Sequence, residues 1–541
     1  MALAVARPHD GTVARPPDGT VARPHGGTVA RVHGGTVAQV HNGTVARRRN
    51  GSAWTACPRN DTVQHSMNQT SPLGLAAHEA TVRREFDMLN LPARCWLPPQ
   101  PQGALDVLVV GAGMNGIAAA GALIMRGIRN IAVLNDSQPG REGPWMTYAK
   151  MEMLRSPKTL PGPCFGIPSL TYRAYHEARF GTADWQALYK ILNQHWQDYL
   201  GWLQRVLELP VRHGVKLTRL VPAHGLLRAE LEGGGAILAR RVVLATGRGG
   251  AGGLYWPAFI APELRPDLAV HTNEMIDFAA LRGNRVAVIG AGPSALDNAA
   301  AAMEHGAAGV DVYVRRKILP QINKGRGSAH PGFHRAWGEL DDPDRWAFLV
   351  YGQDLQAPPP HETVFRVLRL GVRIHLGQPV AAATRDGAEV LMRMADGCEY
   401  RHDFLIAGTG FRVDLGEVPE LVAFAPHIAR WGDRYTPPPH LMREDLAAFP
   451  YLGSGFELQP RGPGAPAELG LIHLMNYGAH ATFGGIASDI PGVAIAGDRL
   501  ADAITRHAFR ENFPAMRAAV EAFDEPELEG TPFFVPRSGP I

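Results

Sequence analysis

Five runs of apolar residues between positions 105 and 500 each end at a glycine. They are Leu108-Val109-Val110-Gly111, Val242-Val243-Leu244-Ala245-Thr246-Gly247, Val286-Ala287-Val288-Ile289-Gly290, Phe404-Leu405-Ile406-Ala407-Gly408 and Val493-Ala494-Ile495-Ala496-Gly497. None alternates apolar with polar, so each predicts a strand buried on both faces, as in a parallel sheet. Residues 131–134 and 310–314 are further strands of this type. Each is separated from the preceding glycine turn by an alanine-rich stretch that predicts a helix. The alternation gives an α/β fold. Residues 184–209 carry Trp185, Tyr189, Trp196, Tyr199 and Trp202 at helical spacing, which predicts an amphipathic helix pair with its aromatics in the core. A helix over 76–91, a proline-rich linker over 92–103 and a helix starting near Ala501 complete the outline.

Two of the glycine turns carry a chemical fingerprint. Gly111, Gly113 and Gly116 form one set; Gly290, Gly292 and Ala295, with Ser294 beside them, form another. The first glycine of each set makes a strand-to-helix turn that a Cβ would obstruct. The second lets backbone approach a pyrophosphate, and the third lets helix and strand pack closely. The helix N-terminus, with about half a positive charge, then faces the phosphates. A purely structural turn is the alternative for either motif alone. Two together predict two dinucleotides and electron transfer between them.

The end of the next strand sorts the two sites. Residues 131–134 are followed by Asn135 and Asp136, and an acid there accepts both ribose hydroxyls. Asn135 takes the expected slot and Asp136 lies one place later. Residues 310–314 are followed by Arg315, Arg316 and Lys317. A guanidinium there matches a 2′-phosphate as a two-pronged fork. The first site is therefore expected to hold FAD and the second NADPH. A solvated basic turn is the plainer reading of 315–317.

Composition bounds the function. The 541 residues, 45% hydrophobic and 19% charged, suit a multidomain enzyme. No apolar run reaches the roughly 18–20 residues of a membrane helix. The apolar start, Met1 to Val5, is too short for a signal-peptide core. A cytoplasmic protein with no membrane partner is expected. Net charge is +3, but residues 1–51 hold seven Arg and two Asp, so the rest of the chain sums to −2 and no nucleic-acid partner is expected. Those first residues repeat with period eight, beginning Ala6-Arg7-Pro8-His9-Asp10-Gly11-Thr12-Val13. They hold too few apolar groups to offset the entropy of ordering, so residues 1–75 are expected to be a disordered tail, with a basic tether as the alternative. Cys57, Cys95, Cys164 and Cys398 are scattered, with no Cys-x-x-Cys. That argues against a flavin-linked dithiol and against a metal site.

The order of these signals resembles the two-dinucleotide-domain flavoproteins of the glutathione reductase fold, built from two Rossmann-like domains with the NADPH domain inserted in the FAD domain. Over residues 104–525 the chain is similar to the class B flavin-dependent monooxygenases. The residues carrying the likeness are both glycine sets with Arg315, Gly143-Pro144-Trp145, Ala245-Thr246-Gly247, Thr409-Gly410-Phe411 and Gly497-Asp498. The resemblance implies an FAD domain over 104–250 and 404–525, an NADPH domain over 270–403 and a C-terminal tail over 526–541. It places Thr246, Gly247, Thr409 and Gly410 at the domain hinges beside the cofactors. Asp498 would lie by the flavin ribityl chain and Trp145 near the isoalloxazine. The segment 142–181 is similar to the nitrosuccinate-forming aspartate N-monooxygenases. Two features depart from subfamily patterns. Residues 249–271 lack the Phe-x-Gly-x-x-x-His stretch of Baeyer–Villiger and flavin-containing monooxygenases. Residues 408–411 read Gly-Thr-Gly-Phe where the amine N-hydroxylases show Ala-Thr-Gly-Tyr.

The implied reaction reduces FAD with NADPH, traps O2 as a C4a-(hydro)peroxyflavin and passes one oxygen to a small-molecule substrate. The expected substrate is an amine or small amino acid such as aspartate. A carboxylate on that substrate needs a cation, for which Arg155, Lys158, Arg248, Arg506 and Arg510 are candidates. Asn476 and His480 could reach the flavin rim. Ordinary surface ions, a packed Trp145 and a core His480 are the plainer readings. Oxygenation of sulfur or of a ketone, NADPH oxidation or reduction without oxygen insertion, and a non-catalytic dinucleotide sensor remain as alternatives, and a homo-oligomer is allowed. If Arg315 holds the 2′-phosphate, Arg315→Ala will lower the NADPH/NADH ratio of kcat/KM at least tenfold, about 1.4 kcal/mol. An unchanged ratio refutes the assignment.

Overall fold

The computed structural model describes residues 72–536. The period-eight repeat, Cys57 and the last five residues of the C-terminal tail lie outside the described residues. Helix α1 (Pro72–Leu89) precedes the first sheet. Strands β1 (Leu105–Val110), β2 (Ile131–Asn135) and β3 (Val211–His213) run parallel, with Val107 opposite Ile131 and Val133 opposite Val211. Strands β4 (Leu217–Ala223), β5 (Leu226–Leu231) and β6 (Ala236–Leu244) form an antiparallel meander. The far end of β6 turns parallel to β1, pairing Val242 with Leu108. One strand thus joins the parallel and antiparallel halves of a single sheet, in the order β3-β2-β1-β6-β5-β4. Helix α2 (Met114–Met125) follows the first glycine turn and is almost wholly buried. Helices α3 (Tyr172–Phe180), α4 (Thr182–Ala187) and α5 (Asn193–Val206) gather Tyr172, Trp185, Trp196, Tyr199 and Trp202 into a buried aromatic cluster. This is the core predicted for the aromatic stripe, except that Tyr189 sits between α4 and α5 and is exposed.

The chain leaves through β7 (Gly252–Leu254) and builds a second parallel sheet from β8 (Ala269–His271), β9 (Arg285–Ile289), β10 (Gly309–Val314) and β11 (Arg373–Leu376). Helix α6 (Pro293–Glu304) follows the second glycine turn, and α7 (Pro331–Ala336), α8 (Asp342–Leu355) and α9 (His361–Arg369) lie between β10 and β11. An antiparallel trio follows: β12 (Val380–Asp386), β13 (Glu389–Met394) and β14 (Glu399–His402). Then β15 (Phe404–Ala407) inserts between β9 and β8, giving the order β11-β10-β9-β15-β8. Residues 404–407 therefore complete the second sheet. They do not open the returning half of the FAD domain, as the boundary at 404 had it. The return begins at β16 (Phe411–Val413), which pairs antiparallel with β7, so both domain crossings run through one two-stranded ribbon. Short helices α10 (Trp431–Arg434) and α11 (Glu444–Ala447) lead to β17 (Ile472–Leu474), which rejoins the first sheet beside β6. Insertion of the second unit into the first is thus visible in the strand order.

The fifth apolar run is not a strand. After α12 (His480–Phe483), residues 493–498 form the first turns of α13 (Val493–Glu521). The buried positions, Val493, Ala496, Gly497, Leu500, Ala501, Ile504 and Ala508, follow a helical period that continues past the run. Four apolar residues in a row cannot show that period by themselves. Gly497 marks where α13 crosses α2, since a Cβ there would stand 2.6 Å from the Ala118 carbonyl oxygen. Gly497→Val should cost about 1–3 kcal/mol by overpacking, read as a lower Tm; an unchanged Tm would show that the crossing tolerates a side chain.

Candidate active site

Both glycine turns are built as cradles. Gly111 has φ 101° and Gly290 φ 112°, in the left-handed region that favours glycine. A Cβ on Gly111 would sit 2.6 Å from the Ala245 carbonyl oxygen, and one on Gly290 would strike the Gly408 carbonyl oxygen. A Cβ on Gly116 would strike the Gly111 carbonyl, so helix α2 can lie against β1 only with glycine there. Ala295 takes the equivalent place on α6 and is buried against Gly408. Gly113 and Gly292 face open space: the nearest atom to a Cβ on the first is 3.9 Å away, and none lies within 4 Å on the second. These are the approaches a pyrophosphate needs, and both precede helix N-termini, the second with Ser294 in its first turn. The residues therefore fit two dinucleotides.

The residues after each second strand divide their work. Asn135 is buried; its Oδ1 accepts the Ala112 N–H at 3.1 Å and its Nδ2 donates to the Ser137 hydroxyl at 2.7 Å. It stiffens the first turn, while Asp136 is the exposed residue beyond the strand. Arg315 is exposed. Arg316 donates twice to the Asp354 carbonyl at 3.2 Å, near the C-terminus of α8. Of the two, Arg315 is the exposed one and Arg316 the one tied down.

Where the sheets meet, Asn476 follows β17 and is fully buried. Its Nδ2 donates to Thr246 Oγ1 and to the Gly250 carbonyl, both at 3.0 Å, and its Oδ1 accepts the Gly478 N–H at 2.9 Å. Its hydrogen-bonding capacity is largely spent on the loop at Thr246 and Gly247, so it positions that loop. Asn115, in the first fingerprint, ties α2 to the Met475 carbonyl at 3.1 Å and the Ala487 carbonyl at 2.5 Å. Thr409 donates its hydroxyl to the Tyr255 carbonyl, and the Gly410 carbonyl accepts the Tyr255 N–H at 2.9 Å, locking the hinge ribbon. Trp145 packs edge-on to Trp196 at 6.3 Å, with its indole N–H buried and without a partner. A buried donor of that kind beside Gly143 suits an acceptor from a bound group.

The expected cationic clamps fall elsewhere. Arg155 reaches the second unit and bonds the buried Asp297 of α6 at 2.9 Å, where Thr363 also donates at 3.0 Å. Lys158 donates to the carbonyls of Trp185, Gln186 and Leu188 at 2.6, 3.2 and 2.6 Å. Those bonds use all three ammonium protons to cap the end of α4, leaving none for a substrate. Asp498 sits in the second turn of α13, whose N-cap is Gly492, and bonds Arg126 at 3.3 Å, so it does not cap the helix. Arg506 and Arg510 are exposed along the same helix. Arg248 alone of the five stands beside the hinge, half exposed, 2.8 Å from Asp489 and 5.7 Å over the Tyr477 ring. Tyr477 stacks on His480 at 5.6 Å. The His480 Nδ1 is buried without a partner, and burial holds that imidazole below its usual pKa and so neutral. Sequence reasoning missed Asn115 and Asp297, because an amide or carboxylate at an ordinary fingerprint position carries no signal of its partner.

Two cradles on two parallel sheets, one sheet inserted in the other, define a two-dinucleotide-domain oxidoreductase. Residues 108–326 match the family model described as pyridine nucleotide-disulphide oxidoreductase. The chain is 38% identical over 464 residues to the FAD-dependent urate hydroxylase of Xanthomonas campestris pv. campestris, covering 85% of this chain and 98% of that protein. The fold is shared with the ornithine N-hydroxylase of Kutzneria sp. 744 (TM-score 0.59, 16% identity, 75% of this chain and 99% of that one). It is shared too with the L-lysine 6-monooxygenase of Pseudomonas syringae (TM-score 0.57, 17% identity, 74% and 99%). The chain belongs to the class B flavin-dependent monooxygenases, a family that uses FAD and NADPH. No Cys pair stands in disulfide contact among the described residues, where Cys95, Cys164 and Cys398 are free, and no group of three or more metal-ligating side chains occurs there. No described helix is long and apolar enough to cross a membrane.

Burial also sets a pH response. His271, beside the ribbon, and His473, in β17, are fully buried, and burial pushes both pKa values down to about 4. The unfolded chain protonates these rings near 6.5. Stability is therefore complete above that value and is lost as pH falls from 6.5 toward 4, where only the unfolded state gains the protons. Tm should drop between pH 7 and 5, and His271→Gln should reduce the drop; a slope that His271→Gln leaves unchanged would place the titration elsewhere.

Proposed function

We propose that this NADPH-dependent flavin monooxygenase hydroxylates urate, or an oxidised purine of the same planar, acidic type. The relationship at 38% identity across 98% of the Xanthomonas urate hydroxylase carries the reading. The site chemistry supports it. Arg248 offers a half-exposed cation for an anionic ring. The stacked Tyr477 and His480 offer an aromatic wall for a flat one. A neutral His480 presents no competing charge. Gly111, Gly113, Gly116 and Asp136 hold FAD in this reading; Gly290, Gly292, Ser294, Ala295 and Arg315 hold NADPH. Trp145 offers its indole N–H to the flavin, and Asn476 holds the loop at Thr246 and Gly247 in place. Bound FAD supplies the redox chemistry, accepting a hydride from NADPH and activating O2. The protein orients the substrate and excludes water. Arg155 acts as a tie between the two units and Lys158 as a helix cap.

Hydroxylation of an amine nitrogen is the second reading, favoured by the fold shared with the ornithine and lysine enzymes. Arg248 then clamps the carboxylate of the amino acid. NADPH oxidation measured with urate, ornithine, lysine and aspartate, with peroxide assayed in parallel, separates the readings. Urate should accelerate oxidation and suppress peroxide. Acceleration by an amino acid alone selects N-hydroxylation, and stoichiometric peroxide with every compound selects an oxidase. Arg248→Met should raise KM for the active substrate at least tenfold and leave flavin content and kcat within about twofold.

A further inference from the structure

The second half of α13 leaves the body of the protein. From Phe513 onward its residues are exposed on nearly every side, with only Met516 half-buried. Such a stretch is too short to hold a helix by itself in water, and it contains Pro514. Yet its apolar residues are ordered. Phe509, Phe513, Met516 and Val520 follow along α13 at steps of four, three and four, the spacing of a two-helix coiled-coil seam, and Phe523 comes three residues later, just past the helix end. Phe509, Phe513, Val520 and Phe523 keep 47%, 49%, 75% and 66% of their surface exposed. With Trp96, the side chains of Phe509, Met516, Val520 and Phe523 line an open apolar groove on the surface. Ala515, Ala518 and Ala519 leave room for a second backbone to come close.

We propose that this seam is a homodimer interface, covered by α13 of a second copy running antiparallel. Charge selects this occupant and this direction. Arg506 and Arg510 lie exposed at the start of the seam, Arg517 pairs with Glu521 within the helix at 2.6 Å, and Glu525, Glu527 and Glu529 cluster just past the helix end. An antiparallel copy sets each basic stretch against the partner's acidic end, whereas a parallel copy sets like against like. One two-fold axis near Met516 satisfies both halves, the closed symmetry commonest among soluble oligomers. Leu528, Phe533 and Val535, also exposed, extend the apolar surface. At these exposures the seam side chains alone offer about half of the ~800 Å² per partner that a standard interface buries, and Leu528, Phe533 and Val535 bring the patch to that order.

Sedimentation of the flavin-loaded full chain at micromolar concentration should give twice the 58.4 kDa chain mass. Val520→Glu and Phe513→Glu should each give monomers, with flavin absorbance and circular dichroism unchanged. Met516→Cys should form an oxidised self-crosslink that the unsubstituted chain, with its own four cysteines, does not form. Phe523→Cys alone should not, but should crosslink when mixed with Phe509→Cys. A monomer in the unsubstituted chain, a dimer that survives Val520→Glu, or self-crosslinking by Phe523→Cys overturns the proposal.

Discussion

The whole arrangement depends on one steric condition met twice. In each sheet a carbonyl oxygen from the neighbouring strand end lies against the α-carbon of a turn glycine: Ala245 against Gly111, and Gly408 against Gly290. Any side chain there forces the two strands apart, because the interior is packed too densely to absorb a methyl group elsewhere. The same contact brings the hinge segments following β6 and β15 alongside the mouths of the cradles. Cofactor site and domain crossing are therefore one construction, and neither can be altered without the other.

Most of that construction was legible in the sequence. Apolar runs without alternation mark strands buried on both faces, and β1, β6, β9 and β15 are such strands. The glycine sets announce their own geometry, since no other residue tolerates it. Residues 493–498 were opaque for the opposite reason: four apolar residues have the same appearance in a buried strand and in a buried helix. Only the spacing through Leu500, Ile504 and Ala508 distinguishes them. The domain boundary at 404 was misplaced because strand order is a long-range property; β15 pairs with β9, more than a hundred residues earlier.

Side-chain roles were less legible than backbone ones. A basic residue near a site looks the same whether it meets a ligand or a helix end. Lys158 is absorbed by three carbonyls at the end of α4, Arg316 by one of α8, and Arg155 by a carboxylate across the domain boundary. Arg155 belongs to a wider clasp. Lys190 and Tyr189 bond Glu362 at 2.7 and 2.6 Å, and Arg366 reaches the Lys150 carbonyl at 2.9 Å while chelating Glu304. Asp297, buried, is the costly member: without Arg155 its charge keeps Thr363 and the more distant Arg366 at 3.9 Å but loses its closest cation.

The ribbon of β7 and β16 gives this clasp its meaning. Both covalent links to the inserted domain pass through that one pair of strands, which no third strand joins. Rotation about that ribbon is resisted elsewhere, because Trp337, Trp346 and Leu349 of the inserted segment share one buried apolar cluster with Trp431, Leu446 and Phe449 of the returning half. Dissolved salt weakens the ion pairs of the clasp and leaves that apolar cluster untouched, so the two halves are joined by a screened contact and an unscreened one.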